Sequence, residues 1–162
     1  RVEAYGNVDE LNSCLGLVRS LLAQLDSNSK LQEIAPPLEW LQNILFSVGS
    51  LLATAEEKTF HTLPQITDSQ ISQLEKWIDG YSEPLPALKN FILPSGHILA
   101  SHLHICRTSC RKAERRSSEI YVKENQYQNV LIFLNRLSDL LFVWARWVNF
   151  KTQTTETIWK QS

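Results

Sequence analysis

Residues 91–116 read FILPSGHILASHLHICRTSCRKAERR, and their pattern decides what kind of fold can hold the chain. An apolar triplet and a Pro-Ser-Gly break are followed by one long helical stretch, expected to start near Ser95 as its cap and to end around Tyr121. Leu99, Leu103, Cys106, Cys110 and Ala113 recur at spacings of 4, 3, 4 and 3, the seam of a helix buried along one side. Arg107, Arg111 and Arg115 follow i, i+4, i+8 and stack on the adjacent face. Lys112 and Arg116 add to the run, and Glu114 is the one acid within it. Like charges at i, i+4 destabilise a helix by a few tenths of a kcal/mol per pair. A solvated basic face would explain the run. Arginine at the stacked positions points instead to planar, bidentate contact with phosphate or carboxylate, and a triphosphate would relieve the repulsion.

Other long seams flank this helix. Residues 2–26 carry Ala4, Val8, Leu11, Leu15, Val18, Leu22 and Leu25 at alternating spacings of 4 and 3. A second helix follows Pro36-Pro37 on Leu38, Leu41, Leu45, Val48, Leu52 and Ala55, running to about Glu57. Residues 58–66 form a loop. Thr67 to Gln70 has the form of a capping box opening a third helix with Ile71, Leu74 and Ile78 inside. The last helix spans about 127–150 on Val130, Leu134, Leu137, Leu141, Trp144 and Val148. Asn125 punctuates before it, and residues 151–162 are a polar tail. No strand pattern of any length is present, so the expected fold is all-α, a five-helix antiparallel bundle. Trp144, Trp147 and Phe150 are candidates for an oligomer face, or simply core.

Composition narrows the function. The 162 residues carry 16 basic and 17 acidic side chains, so the basic charge is local and a general nucleic-acid binder is disfavoured. No apolar run approaches the length of a membrane span, and no signal peptide is visible. The three cysteines read as reduced core residues in a reducing compartment. Because the chain opens inside a helix start at Arg1, a preceding segment is expected.

Three constellations could carry chemistry. Asn135 and Asp139, with Arg136 alongside, interrupt a very apolar stretch and must find partners, either the arginine ladder or a ligand. Asp9, Glu10, Asn12 and Ser13 crowd the first helix, where Asp9 could pair with a ladder arginine within or between subunits. His102, Cys106 and Cys110 follow i, i+4, i+8 but splay too far for one tetrahedral metal ion, and His102 and His104 face different ways. No site for a resident metal, no P-loop and no Ser-His-Asp arrangement is found.

Taken together, RVEAYGNVDELNSCLGL (1–17), FILPSG (91–96), CRTSCRKAERR (106–116) and FLNRLSDLLFVWAR (133–146) resemble the PduO-type ATP:cob(I)alamin adenosyltransferases. The four blocks stand in the family's order and span nearly the whole chain. The resemblance implies a five-helix bundle assembled as a homotrimer, with active sites between subunits and one adenosyltransferase domain over 1–150. It implies transfer of the 5′-deoxyadenosyl group of ATP to cob(I)alamin, giving adenosylcobalamin and triphosphate. ATP with Mg²⁺ and the corrinoid are then the substrates. A Co(II) corrinoid reductase and an adenosylcobalamin-dependent enzyme are the implied partners, with no nucleic acid and no membrane, in the cytoplasm.

By motif match, Arg111 contacts the ATP phosphates beside Lys112 and Arg115. Glu114 and Asn135 help bind ATP. Asp9 and Arg107 form a salt bridge across the subunit interface, and Phe91 lies beneath the corrin. Asp139 matches without an assigned role. Three departures stand out. The family's Gly- and Thr-rich triphosphate segment is not among residues 1–162, Lys112 stands where Arg is common, and Ser95-Gly96-His97 replaces the usual Gly-Gly pair. The alternatives are a bundle that binds ATP or adenosylcobalamin without turnover, and a structural bundle whose arginines pair with a partner's acids.

Overall fold

The computed structural model describes residues 1–122 and 125–160, where six α-helices account for the architecture. They are α1 (Val2–Leu22), α2 (Ala35–Ala53), α3 (Glu57–Phe60), α4 (Asp68–Ser82), α5 (Ile98–Tyr121) and α6 (Gln128–Lys151). Short 3₁₀ turns lie at Lys30–Ile34 and Asn125–Tyr127. The described residues hold no β-strand, only one isolated antiparallel bridge between Ile92 and Ile158.

The five long periodic stretches are all helical; the sixth helix, α3, is a single turn inside the segment expected to be a loop. Its cause is Phe60, which is buried and meets the Tyr127 ring edge-on at 5.2 Å. Curling one turn lets the connector bury that side chain.

The seams do what their spacing requires. Those of α1, α5 and α6 named above are buried throughout the helical spans. In cross-section α1 packs on α2 and α5, and α6 packs on α5 and α4. Trp40 of α2 and Trp77 of α4 close the ring, edge to face at 5.2 Å. Trp144 and Trp147 are therefore core, not an oligomer face: Tyr81 packs on both, at 5.8 and 5.1 Å between ring centroids. Phe150 alone of that trio is exposed.

Local chemistry sets the helix ends. α1 stops at Leu22, before the expected Asp26, and the Gln32 side chain donates to the Leu22 carbonyl at 2.8 Å. α2 starts on Ala35 with prolines in its first turn, and ends at Ala53 because Thr54 is extended, so Ala55 falls outside its seam. The capping box of α4 is formed reciprocally by Thr67 and Gln70. The cap of α5 is His97 rather than Ser95: His97 Nδ1 accepts from the Leu99 N–H at 3.2 Å. The chain reaches that cap through Gly96 at φ +113°, a conformation that a side chain disfavours.

The end of α6 holds two flanking segments. Asn149, which is buried, accepts from the His97 N–H (2.9 Å) and donates to the Ser95 carbonyl (3.1 Å), clamping the Pro-Ser-Gly turn. The polar tail then doubles back along residues 91–95. Leu93 N–H donates to the Thr157 carbonyl and Trp159 N–H to the Phe91 carbonyl, both at 2.8 Å.

Candidate functional site

Burying Cys106, Cys110 and Ala113 turns the next face of α5 outward, and that face carries Arg107, Arg111 and Arg115. The five cations of the run divide by partner. Lys112 pairs with Glu10 of α1 at 3.0 Å. Arg116 pairs with Glu3 at 3.0 Å and with Glu119 at 2.8 Å, and the Glu119 hydrogen bond, then the Glu3 charge, raises its pKa. Such exposed pairs are screened by solvent and stabilise the chain little. Arg111 and Arg115 are exposed and have no ion-pair partner among the described residues. Arg107 is half-buried; its Nε has no hydrogen-bond partner among the described residues, and burial, then the Arg111 charge, lowers its pKa. Three guanidinium groups thus line one face without an ion-pair partner among the described residues.

Behind them stands a polar relay from α6. Asn135 Nδ2 donates to Glu114 Oε1 at 2.9 Å, and Arg136 Nη2 donates to Asn135 Oδ1 at 2.7 Å. Arg136 also pairs with Asp139 at 3.4 Å. The partner of Asn135 is therefore the acid beside the ladder rather than a ladder arginine. The relay holds the carboxylate of Glu114, which stands between Arg111 and Arg115 in sequence, and reaches Asp139 through Arg136.

At the N-terminal end of the ladder a cavity of about 900 Å³ opens. Phe91, Pro94, Arg107, Phe142 and Trp159 are among its walls. Phe91 is 80% exposed, so its ring is held by the tail rather than by the core; Trp159 meets it edge-on at 6.3 Å. A large exposed aromatic ring beside a cavity is a candidate contact surface for an apolar group.

His104 also lines this cavity, and sequence reasoning missed it. The residue is buried, its Nδ1 has no partner among the described residues, and its ring lies 6.1 Å from that of Phe142. Burial, then the charge of Arg107, lowers its pKa to about 4, so the ring is neutral at pH 7. The signal was its position three residues before Arg107, which puts both on one face of α5.

Asp9 lies elsewhere. It is exposed on α1, beside a groove of about 390 Å³ shared with Tyr5, Asn12, Phe46 and Gly49. No ion pair joins it to any described residue, and its neighbour Glu10 takes the contact with α5 through Lys112. Among the described residues no group of three or more His, Cys, Asp or Glu side chains could hold a metal ion. The three cysteines are free; burial foremost raises the pKa of Cys106 and Cys110, so both stay thiols.

Known proteins carry the same combination of fold and sequence. Residues 1–148 match the family described as "Cobalamin adenosyltransferase". The corrinoid adenosyltransferase of Bacillus subtilis (strain 168) is 41% identical over 162 residues, covering 100% of this chain and 81% of its own. Corrinoid adenosyltransferase MMAB of Mus musculus is 42% identical over 164 residues, covering 98% of this chain and 66% of its own. A variant PduO-type ATP:corrinoid adenosyltransferase from Lactobacillus reuteri, solved in complex with cobalamin and ATP, superposes with a TM-score of 0.87 at 39% identity. The match covers 99% of this chain and 86% of that one. The chain belongs to the cobalamin adenosyltransferase family, enzymes of ATP-dependent adenosyl transfer to a corrinoid.

Proposed function

We propose that the arginine face of α5 holds the triphosphate of ATP and that the cavity at its end seats the corrin, so that the two substrates meet beside Arg107. The carrying observation is the division of the cations: Lys112 and Arg116 are matched by acids, while among the described residues Arg111 and Arg115 have no acid partner and Arg107 is left for the next subunit. An uncompensated, pre-aligned set of guanidinium groups suits a polyanion that arrives and leaves.

In the reaction, the cobalt(I) electron pair attacks C5′ of ATP, the Co–C bond forms, and the C5′–O bond breaks with its electrons leaving on triphosphate. Negative charge grows on that leaving group. Arg111 and Arg115 stabilise the charge without reorganising, the electrostatic mode of catalysis, and Lys112 stands beside them in its pair with Glu10. Asn135 and Glu114 orient these cations and contact ATP. The nucleophile is the cobalt itself, so no nucleophilic side chain or histidine base is required. Phe91 lies beneath the corrin and excludes a lower axial ligand, which makes Co(II) easier to reduce. Mg²⁺ would enter with ATP and would offset part of the phosphate charge alongside Arg111 and Arg115.

The long helices form an antiparallel bundle that assembles as a homotrimer. In it, Asp9 of one subunit faces Arg107 of the next and completes a site that one chain leaves open. Residues 1–150 are the adenosyltransferase domain, and the tail beyond them closes the corrin side. A Co(II) corrinoid reductase supplies the reduced substrate, and the product passes to an adenosylcobalamin-dependent enzyme in the cytoplasm. No helix among the described residues is long and apolar enough to cross a membrane.

The test is single-turnover adenosylation with Arg111→Ala and Arg111→Lys. Alanine is expected to lower the rate about 10²–10³-fold, the effect of deleting one transition-state donor, and lysine less. An Arg111→Ala enzyme as fast as the wild type would overturn the assignment.

A further inference from the structure

The most deeply buried charge in the described structure is Arg146, and it lies outside the arginine ladder. Its side chain is 9% exposed and grips Glu156 of the tail with both ends of the guanidinium. Nε donates to Oε1 at 2.9 Å and Nη2 to Oε2 at 3.4 Å. Nη2 also donates to the Pro86 carbonyl at 2.8 Å. One side chain of α6 thus ties together two segments 70 residues apart in sequence, the connector before residue 91 and the tail.

Those two segments build much of the corrin-side wall. The connector supplies Leu88 and Phe91, and the tail supplies Trp159. The bridge between Ile92 and Ile158, flanked by the Leu93–Thr157 and Trp159–Phe91 backbone hydrogen bonds, aligns them. A two-stranded contact this short does not hold itself together in water. Arg146 of α6 holds both sides of it, Glu156 on the tail and Pro86 on the connector, beside the Asn149 clamp. Burying a charge is costly unless it is fully paired, so a bidentate pair at this place calls for a reason beyond stability.

We propose that Arg146 and Glu156 are positioning residues: their ion pair latches the C-terminal strap to α6 and thereby holds Phe91 and Trp159 in register as the floor of the corrinoid site. The inference rests on the reading of that cavity as the corrinoid site. Its consequence is selective. Nothing in the latch touches the α5 arginine face, so unlatching weakens the corrinoid seat and leaves the ATP site intact. Neither residue contacts a reacting atom.

The experiment uses the full chain with Glu156→Gln and Glu156→Ala, and with Arg146→Met in case alanine at the tail disturbs folding. Helix content and oligomeric state are checked by circular dichroism and light scattering. KM is measured separately for ATP and for cob(I)alamin, and the four-coordinate Co(II) signature of bound cob(II)alamin is recorded with ATP present. The latch predicts that Glu156→Ala raises the corrinoid KM about tenfold, with the ATP KM within about twofold, because misplacing a contact surface by an ångström carries losses of that order or more. The four-coordinate fraction falls in parallel, and Glu156→Gln, which keeps one acceptor for Arg146, lies between. If a folded Glu156→Ala enzyme keeps the wild-type corrinoid KM and spectrum, or loses ATP and corrinoid binding equally, the latch is refuted and the functional reading stands. If the wild type itself shows no corrinoid-dependent signal, the functional reading falls and the latch with it.

Discussion

Replacing Gly96 by alanine tests how the start of α5, and with it the arginine face, is held in place. A Cβ built on Gly96 would lie 2.3 Å from Asn149 Oδ1, 2.5 Å from Nδ2 and 2.7 Å from Cγ, all within hard contact. The backbone at φ +113° adds strain of about 1–2 kcal/mol for a residue with a side chain. To clear the methyl group the Asn149 amide must move, losing its bonds to His97 N–H and the Ser95 carbonyl, each contributing about 0.5–1.5 kcal/mol. The sum is about 2–5 kcal/mol. At roughly 2–4 °C per kcal/mol for a chain of this size, the melting temperature falls by about 4–20 °C. Thermal unfolding at one fixed protein concentration reads this directly, because assembly would make the value concentration-dependent. The decisive control is Asn149→Ala in both backgrounds. If the clash is real, Gly96→Ala costs less once the amide is gone, leaving chiefly the backbone strain. A Gly96→Ala protein within about 0.5 kcal/mol of wild type, or full additivity in the cycle, would refute this account of the turn.

Three further outcomes follow from the site. Exchanging Asp9 and Arg107 (Asp9→Arg with Arg107→Asp) should recover part of the turnover that either single change removes; no recovery would argue against an intersubunit pair. Asn135→Ala should leave the Glu114 carboxylate without its donor, raising the ATP KM about tenfold at a stability cost of about 1 kcal/mol, read by initial rates and melting. His104 has a folded pKa of about 4, below its ordinary value of about 6.5. Its neutral ring therefore contributes fully above about pH 6.5, and the contribution is lost as pH falls towards 4. His104→Phe should reduce the stability lost between pH 7 and 4.5 by about 2 kcal/mol in urea melts, and an unchanged loss would place the effect in other groups.

The bundle was legible wherever one helix face repeats every three or four residues over several turns. The seams of α1, α5 and α6 needed nothing but periodicity, and the Thr67–Gln70 capping box was read from four letters. What escaped notice depends on contacts distant in sequence. Phe60 curls its connector only because Tyr127 waits 67 residues later. His97 displaces Ser95 as a cap because Asn149 and Gly96 shape the turn. The tail reads as polar because its inward groups are a glutamate and threonines; only the buried Arg146 turns them into a strap. The site was half legible. Periodicity stacks Arg107, Arg111 and Arg115, but it cannot say that Lys112 and Arg116 are paired with acids while those three have no such partner among the described residues. The partner of Asn135 is Glu114, and Asp9 makes no ion pair with Arg107 or any other described residue.

The central claim is that the uncompensated arginine face holds the leaving triphosphate while the neighbouring cavity holds the corrin. The most direct measurement is anaerobic: chemically reduced cob(I)alamin with ATP and Mg²⁺, followed at the Co(I) absorbance band in wild type and in Arg111→Ala. The account predicts decay of that band to a light-sensitive alkylcobalamin, dependent on ATP and slowed about 10²–10³-fold in the variant with helix content unchanged. A wild-type band that persists while ATP still raises the melting temperature would contradict it, leaving a nucleotide-binding bundle without transfer.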